Sequence, residues 1–282
     1  MLDDLRHFVA VAESGTFTTA AKRVHLSQPA LTASIQRLEA DLGARLFLRG
    51  RRGAELTAAG DALLPHARAA LAAVADGRRA VAEVEGLKAG RVRVGAGATY
   101  CTYVLPRLLL RFRDRYPTLS LQLREGHSAE LIDALVVGEL DLAVLPAEQL
   151  PPGLVAEPWG DDELVLVGAP NASPKLPFVA FSRPSPTRAL LDQLFPDAEI
   201  VMELNSIAAV KGNVRGGVGR ALVSRVAVAH DLAEGRMVLL PDSRVPVTRR
   251  ISLVHRGVER LPPAAGALRA LLMAAKDVDS AP

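Results

Sequence analysis

Gly95 and Gly97, set where an alternating valine strand runs out in RVRVGAGATYC, are the residues whose spacing first suggests chemistry. Backbone N–H groups left open at such a turn, and at the start of the helix that follows it, can cradle an anion. A dinucleotide fingerprint needs a third glycine three places after Gly97, where helix packs closely on strand, and Tyr100 stands there. The acidic residue after the next strand, Glu125, lies further along than the ~20 residues expected of a ribose-binding acid. The stretch therefore reads as an amide-lined turn that offers Gly97 and the Thr99 hydroxyl, with Tyr100 and Cys101 beside them, to a small ligand. A thiol at a helix start can serve redox sensing when its pKa falls, but a lone buried cysteine is more often packing.

A second helix start lies in ELNSIAAVK, where Asn205 or Ser206 is a natural N-cap beside unpaired amides. Two positive helix ends aimed into one cleft favour a small anion, a carboxylate or an inorganic oxyanion. Ser182 and Arg183, on the proline-rich loop VAFSRPSPT, form a third group, which reads equally as an ordinary surface turn. GGVGR at 216–220 lacks the Lys-Ser/Thr of a phosphate-binding loop and reads as a turn into the next strand. Cys101 is the only cysteine, and the six histidines include no pair at i, i+4, so no metal or other cofactor is expected.

These groups need a frame. The chain has 282 residues, 49% hydrophobic and 23% charged, enough apolar surface for a well-buried core and more than one domain. No apolar run approaches the ~18 residues of a membrane span. MLDDLRHF has acidic residues where a secretory signal would be basic, so a cytoplasmic protein is expected. Net charge is only +3, but the basic side chains are mostly arginine, suited to phosphate forks.

In the first ninety residues the pattern is helical. Leu5, Phe8, Val9 and Ala12 mark a first helix stopped at Gly15. Thr18 caps a second, running to about Val24, and His25-Leu26 connects it tightly to a third. There Ser27 is the N-cap, Pro29 sits in the first turn, and Gly43 ends the helix. Leu31, Ile35, Leu38 and Leu42 share one face. The other face, with Gln28, Pro29, Ala30, Thr32, Ala33 and Arg37, is slim enough to enter a major groove. A small bundle with a solvated face would show the same periodicity. The basic loop LRGRRGAELT, with Arg49, Arg51 and Arg52 between glycines and flanked by short apolar strands, favours a wing that touches phosphates.

With these residues in view, the block GTFTTAAKRVHLSQPALTASIQRLEADLGARLFLRGRRGAELTAAG closely resembles the LysR-type transcriptional regulators, and the resemblance extends over essentially the whole chain. It implies that Ser27, Gln28, Pro29, Thr32 and Ala33 lie in the groove while Arg49, Arg51 and Arg52 hold the backbone. Many members carry a basic side chain where this chain has Ala33, so base reading here leans on Gln28, Thr32 and Ser34, and more on DNA shape. The matching cleft positions imply effector contacts at Thr99, Tyr100, Cys101, Asn205 and Ser206, beside the Gly97 turn.

From Thr57 to about Glu85 an alanine-rich stretch reads as one long helix kinked at Pro65. Its seam of Ala67, Val74 and Val81 with Leu63, Ala70, Gly77 and Val84 invites a second copy, and Arg68, Arg78 and Arg79 face outward. GLKAG at 86–90 is then a hinge. Beyond it, eight apolar strands alternate with helices, an α/β architecture with mainly parallel sheets. The resulting expectation is a winged helix-turn-helix over 1–58, a linker helix and hinge over 59–90, and over 91–282 a two-lobed α/β domain of periplasmic-binding-protein type. Lobe I would comprise 91–162 and 261–282, and lobe II 163–260. The partners expected are double-stranded DNA, a small anionic effector, further copies of the chain as dimer or tetramer, and RNA polymerase. Neither a Rossmann-type enzyme nor an exported solute-binding protein accounts for residues 1–90.

Overall fold

The computed structural model describes residues 1–50, 53–84, 90–147, 150–173 and 175–275, and of residues 49, 50, 79, 80 and 82–84 the backbone only. It divides into two units, one running through the long helix and also taking in residues 136–139, the other comprising the rest of the chain from the strand after that helix onward.

In the first unit, α1 (Leu2–Ser14), α2 (Phe17–Arg23) and α3 (Gln28–Leu42) precede a hairpin of β1 (Phe47–Gly50) and β2 (Gly53–Leu56). The second helix starts earlier than its sequence suggests. Thr16, extended and outside the helix, accepts a hydrogen bond from Thr19 N, so Thr16 rather than Thr18 is the cap. Ser27 caps α3 as expected, accepting from Ala30 N, and Gly43 ends it in the left-handed conformation. Phe8, Val9, Ala20, Leu31, Ile35, Leu38 and Phe47 form the core. Leu42, expected on the buried face, is instead exposed, being the last residue of its helix.

The long helix α4 (Ala58–Val84) runs through Pro65 without a break. Its seam is used unevenly: Leu63 and Ala67 pack into the core of the same unit, whereas Val74 and Val81 are exposed. Arg68 does not face outward either, since it pairs with Glu13 of α1 at 3.3 Å.

The second unit has two lobes. In the first, β3 (Arg91–Ala96) lies between β4 (Ser120–Glu125) and β5 (Leu142–Leu145), parallel to both. Against these pack α5 (Leu105–Arg115) and α10 (Pro263–Ala274), with Leu105, Leu108, Phe112, Leu268 and Leu272 buried, and Trp159 Nε1 donates to Leu272 O at 2.8 Å. α6 (Ser128–Val136) joins β4 to β5. Two long strands, β6 (Val155–Gly168) and β11 (Val247–His255), run antiparallel through both lobes. The far end of β6 pairs with β9 (Ala221–Ser224) and β10 (Val238–Leu239) in the second lobe. A separate parallel pair there, β7 (Phe178–Phe181) and β8 (Ile200–Leu204), is flanked by α7 (Pro186–Leu194), α8 (Ile207–Arg215) and α9 (Arg225–Ala233).

Three expectations change. The sheets are mixed, because the two crossing strands pair antiparallel with all their neighbours. β7, a short strand in FVAF, is additional to the eight read from the sequence. The chain also re-enters the first lobe along β11, where Ser252, Leu253 and Val254 pair with β5 and Ile251 and Leu253 enter the first lobe's core, rather than after Arg260. The hinge over 86–90 falls outside the described residues except for Gly90.

Candidate functional site

Two surfaces gather the candidate residues. On α3, Gln28, Pro29, Ala33, Gln36 and Arg37 are exposed and Thr32 is half-buried. The helix is seated by its cap and by its buried leucine-isoleucine face, so the polar side chains project from the opposite side. Thr18 Oγ1 donates to Gln28 Oε1 at 3.3 Å, and Thr32 Oγ1 donates to Gln28 O at 2.9 Å. Between this face and β1 lies a groove of about 570 Å³ bounded by Gln28, Thr32, Gln36, Arg45 and Leu48. Ser34 does not belong to the face: it is 1% exposed and its hydroxyl donates to Asp4. A residue one turn from the buried Leu38 and Leu31 points into the core, which removes Ser34 from any role in reading bases. Gln36, one turn beyond Thr32, is exposed on the same side, a placement legible from the i, i+4 spacing. Arg37 is exposed, yet its Nη2 sits 2.7 Å from Asp4 Oδ1. Arg49 stands in β1 of the hairpin; Arg51 and Arg52 lie outside the described residues.

The second surface is a cleft of about 320 Å³ between the two lobes. Four helix starts converge on it. Gly97, Ala98 and Thr99 open the first, His127 and Ser128 begin α6, Ser185 and Pro186 begin α7, and Asn205 precedes α8. Ser182 also lines the cleft, whereas Arg183 turns away to Asp192 at 2.5 Å. Ser206 is the N-cap of α8 by position, but its side chain makes no capping bond and does not line the cleft.

Tyr100 and Cys101 begin a π-helical turn, Tyr100–Val104, that leads into α5. Tyr100 is among the residues that line the cleft, but it is 8% exposed and packs on Trp159. Burial, reinforced by the Asp162 charge, pushes its phenol well above the ordinary range. Cys101 does not line the cleft. Its thiol donates to Ala96 O at 3.3 Å, and burial, with the Glu125 charge adding to it, pushes its pKa up to about 11. Cys101 is thus corrected from ligand contact to packing group, because successive side chains on a helical turn diverge and the one after Tyr100 meets β3.

A cation missed from the sequence forms part of the wall. Arg249, on β11, donates from Nε to Asp162 Oδ2 at 2.8 Å and from Nη1 to Thr187 Oγ1 at 3.3 Å. Asp162 is fully buried and accepts from Ser224 Oγ at 2.5 Å as well. The signal was present: alternation puts Arg249 on the face of Ile251 and Leu253, and Asp162 on that of Leu164 and Leu166. A charge on a buried strand face needs a partner, and these two are register neighbours. Glu125 and Glu130 on the α6 side give the cleft two acidic groups as well.

A winged helix-turn-helix with a slim polar helix, joined in one chain to a two-lobed α/β unit with a polar cleft, defines a class: DNA-binding regulators that respond to a small molecule. Comparison with known proteins gives the family. Residues 2–61 match the model described as bacterial regulatory helix-turn-helix protein, lysR family, and residues 85–277 the LysR substrate binding domain. A probable RuBisCO transcriptional regulator of Nostoc sp. is 34% identical over 276 residues, covering 90% of this chain and 82% of the relative. The structure of CbnR, a LysR family transcriptional regulator, is 25% identical with a TM-score of 0.60, covering 98% of this chain and 99% of that one. Full-length CbnR in complex with its target DNA is 27% identical with a TM-score of 0.53, covering 98% and 100%. The chain belongs to the LysR family of transcriptional regulators, and it is a DNA-binding, effector-responsive regulator.

Proposed function

We propose that α3 enters the major groove with Gln28, Pro29, Thr32, Ala33 and Gln36 toward the bases, while Ser27 holds the helix start and Arg49, Arg51 and Arg52 of the wing grip phosphates. The exposed Val74 and Val81 on α4 supply the apolar stripe through which two copies pair, placing two recognition helices about one DNA turn apart on a roughly palindromic site. The lobed unit takes a small anion, a carboxylate or oxyanion, held by helix-start amides, by Thr99, Ser182 and Asn205, and by Arg249. The bound anion shifts the population between two arrangements of the oligomer and so changes access of RNA polymerase. We read no catalytic role in either surface.

The observation that carries this reading is the convergence of four helix N-termini and one guanidinium on a single cavity. Thermal shift of the full chain against matched carboxylates, phosphorylated compounds, neutral compounds and amines tests it. Stabilisation by the anions, lost in Thr99→Val and Asn205→Leu, is expected; a preference for amines, through Glu125 and Glu130, would sink it. A gel shift against a random duplex pool tests the DNA half separately.

A further inference from the structure

The proposed DNA-reading helix is tied to the first helix of the chain by a buried carboxylate. Asp4 of α1 is 7% exposed, and its Oδ1 accepts from two residues of α3, Ser34 Oγ at 2.5 Å and Arg37 Nη2 at 2.7 Å. Its other oxygen lies 2.9 Å from the Met1 amino group. His7, nearly one turn further along α1, has Nδ1 2.7 Å from Ser34 Oγ. Since the Ser34 hydroxyl donates to Asp4, His7 donates from Nδ1–H to Ser34. Hydrogen bonding, from Ser34 foremost and then the Met1 amine, outweighs burial and holds the Asp4 carboxyl far below its ordinary pKa, so it stays charged.

Apart from the Thr18–Gln28 hydrogen bond near its start and Glu39 Oε1 near its end, which accepts from Leu46 N and Phe47 N, the remaining contacts that seat α3 are apolar, through Leu31, Ile35 and Leu38. Apolar burial is non-directional and tolerates small rotations, whereas a charge-assisted hydrogen bond does not. With side-chain tips about 5 to 6 Å from a helix axis, a rotation of about 10° moves them by about 1 Å. That is the margin on which a base contact depends.

Resting on the reading of α3 as the recognition helix, we propose that Asp4 is its positioning residue. Asp4 fixes the rotation of α3 through Ser34 and Arg37, and Arg37 serves DNA binding through Asp4 rather than by holding a phosphate.

The test uses full-length Asp4→Asn, Ser34→Ala, Arg37→Gln and the Asp4→Asn/Arg37→Gln double variant. Each is titrated against two duplexes of equal length, one enriched from a random pool by the parent protein and one unselected. Each single variant is expected to lose about tenfold on the enriched duplex. The double variant should lose no more than the worse single one. Binding to the unselected duplex, and its salt slope, should match the parent. The proposal is overturned if Arg37→Gln weakens both duplexes alike with a slope lower by about one phosphate while Ser34→Ala binds as the parent does. Should Asp4→Asn not fold, Ser34→Ala, Arg37→Gln and their double variant decide the same question. A parent protein that enriches no sequence from the pool overturns the recognition-helix reading instead.

Discussion

Arg249 and Asp162 show how a single pair can serve the cleft and hold the fold together. Asp162 is fully buried, and its charge is balanced by the Arg249 guanidinium and by one hydroxyl. Removing the cation leaves that charge in place without its counter-ion, which costs far more than the pair contributes. Arg249→Met is expected to destabilise the chain by about 3 kcal/mol, read from urea unfolding, and Arg249→Met/Asp162→Leu to recover part of that loss. A double variant less stable than the single one contradicts the account. Cys101 supports a second expectation. With its pKa pushed up to about 11, little thiolate exists near neutral pH, so alkylation at pH 8 should run about a hundredfold slower than for a free thiol. At this scale the sequence shows residue types but not which way they point. Thr99, Ser182 and Asn205 were legible because helix starts and loop polarity mark them. Ser34, Cys101 and Ser206 were not, because one helical step of about 100° decides between ligand and core.

Elements were more legible where capping chemistry sits at one position, as at Ser27, Gly15 and Gly43, than where neighbours compete for the role. TFTT offers three threonines, and only the geometry selects Thr16. β7 was missed because a strand of four residues flanked by proline-rich turns carries too short a pattern. Glycines inside helices give an element-scale test with opposite signs. A Cβ on Gly60, in the first turn of α4, would come within 2.3 Å of Leu46 O, where the helix abuts β1. Backbone there cannot yield cheaply, so Gly60→Ala should destabilise by about 1 to 3 kcal/mol. Gly212, exposed in α8, has open space, and Gly212→Ala should stabilise by up to about 1 kcal/mol through helix propensity. Thermal denaturation of both variants checks the pair, and a shared sign would refute the packing argument.

Over the whole molecule, the class of architecture follows from the alternation of apolar segments, but the path between lobes does not. Only strand pairing shows that β6 and β11 cross both lobes, and pairing is a long-range property that local pattern leaves open. Paired carboxylates also make stability depend on charge in both units. Arg269 foremost, joined by His255, lowers the pKa of Glu157 on β6. Burial acts to raise that of Asp231 on α9, but Lys211 and Arg236 outweigh it. Arg244 lowers Asp242 to about 2, and Asp4 is lowered in the first unit. A carboxylate whose folded pKa lies below its unfolded value stabilises the protein above the unfolded value and loses that contribution as pH falls through the folded one. His7, whose pKa is lowered by burial from 6.5, adds a smaller loss as pH falls below that value. The urea midpoint should therefore slip slightly between pH 7 and 5 and drop steeply from about pH 4 to 2. Glu157→Gln lacks one of these ionisations, so its midpoint should be lower than the parent's at pH 7 and converge on it as pH falls through the lowered pKa of Glu157. Parallel curves for the two proteins across this range would show that the Glu157 charge does not stabilise the fold.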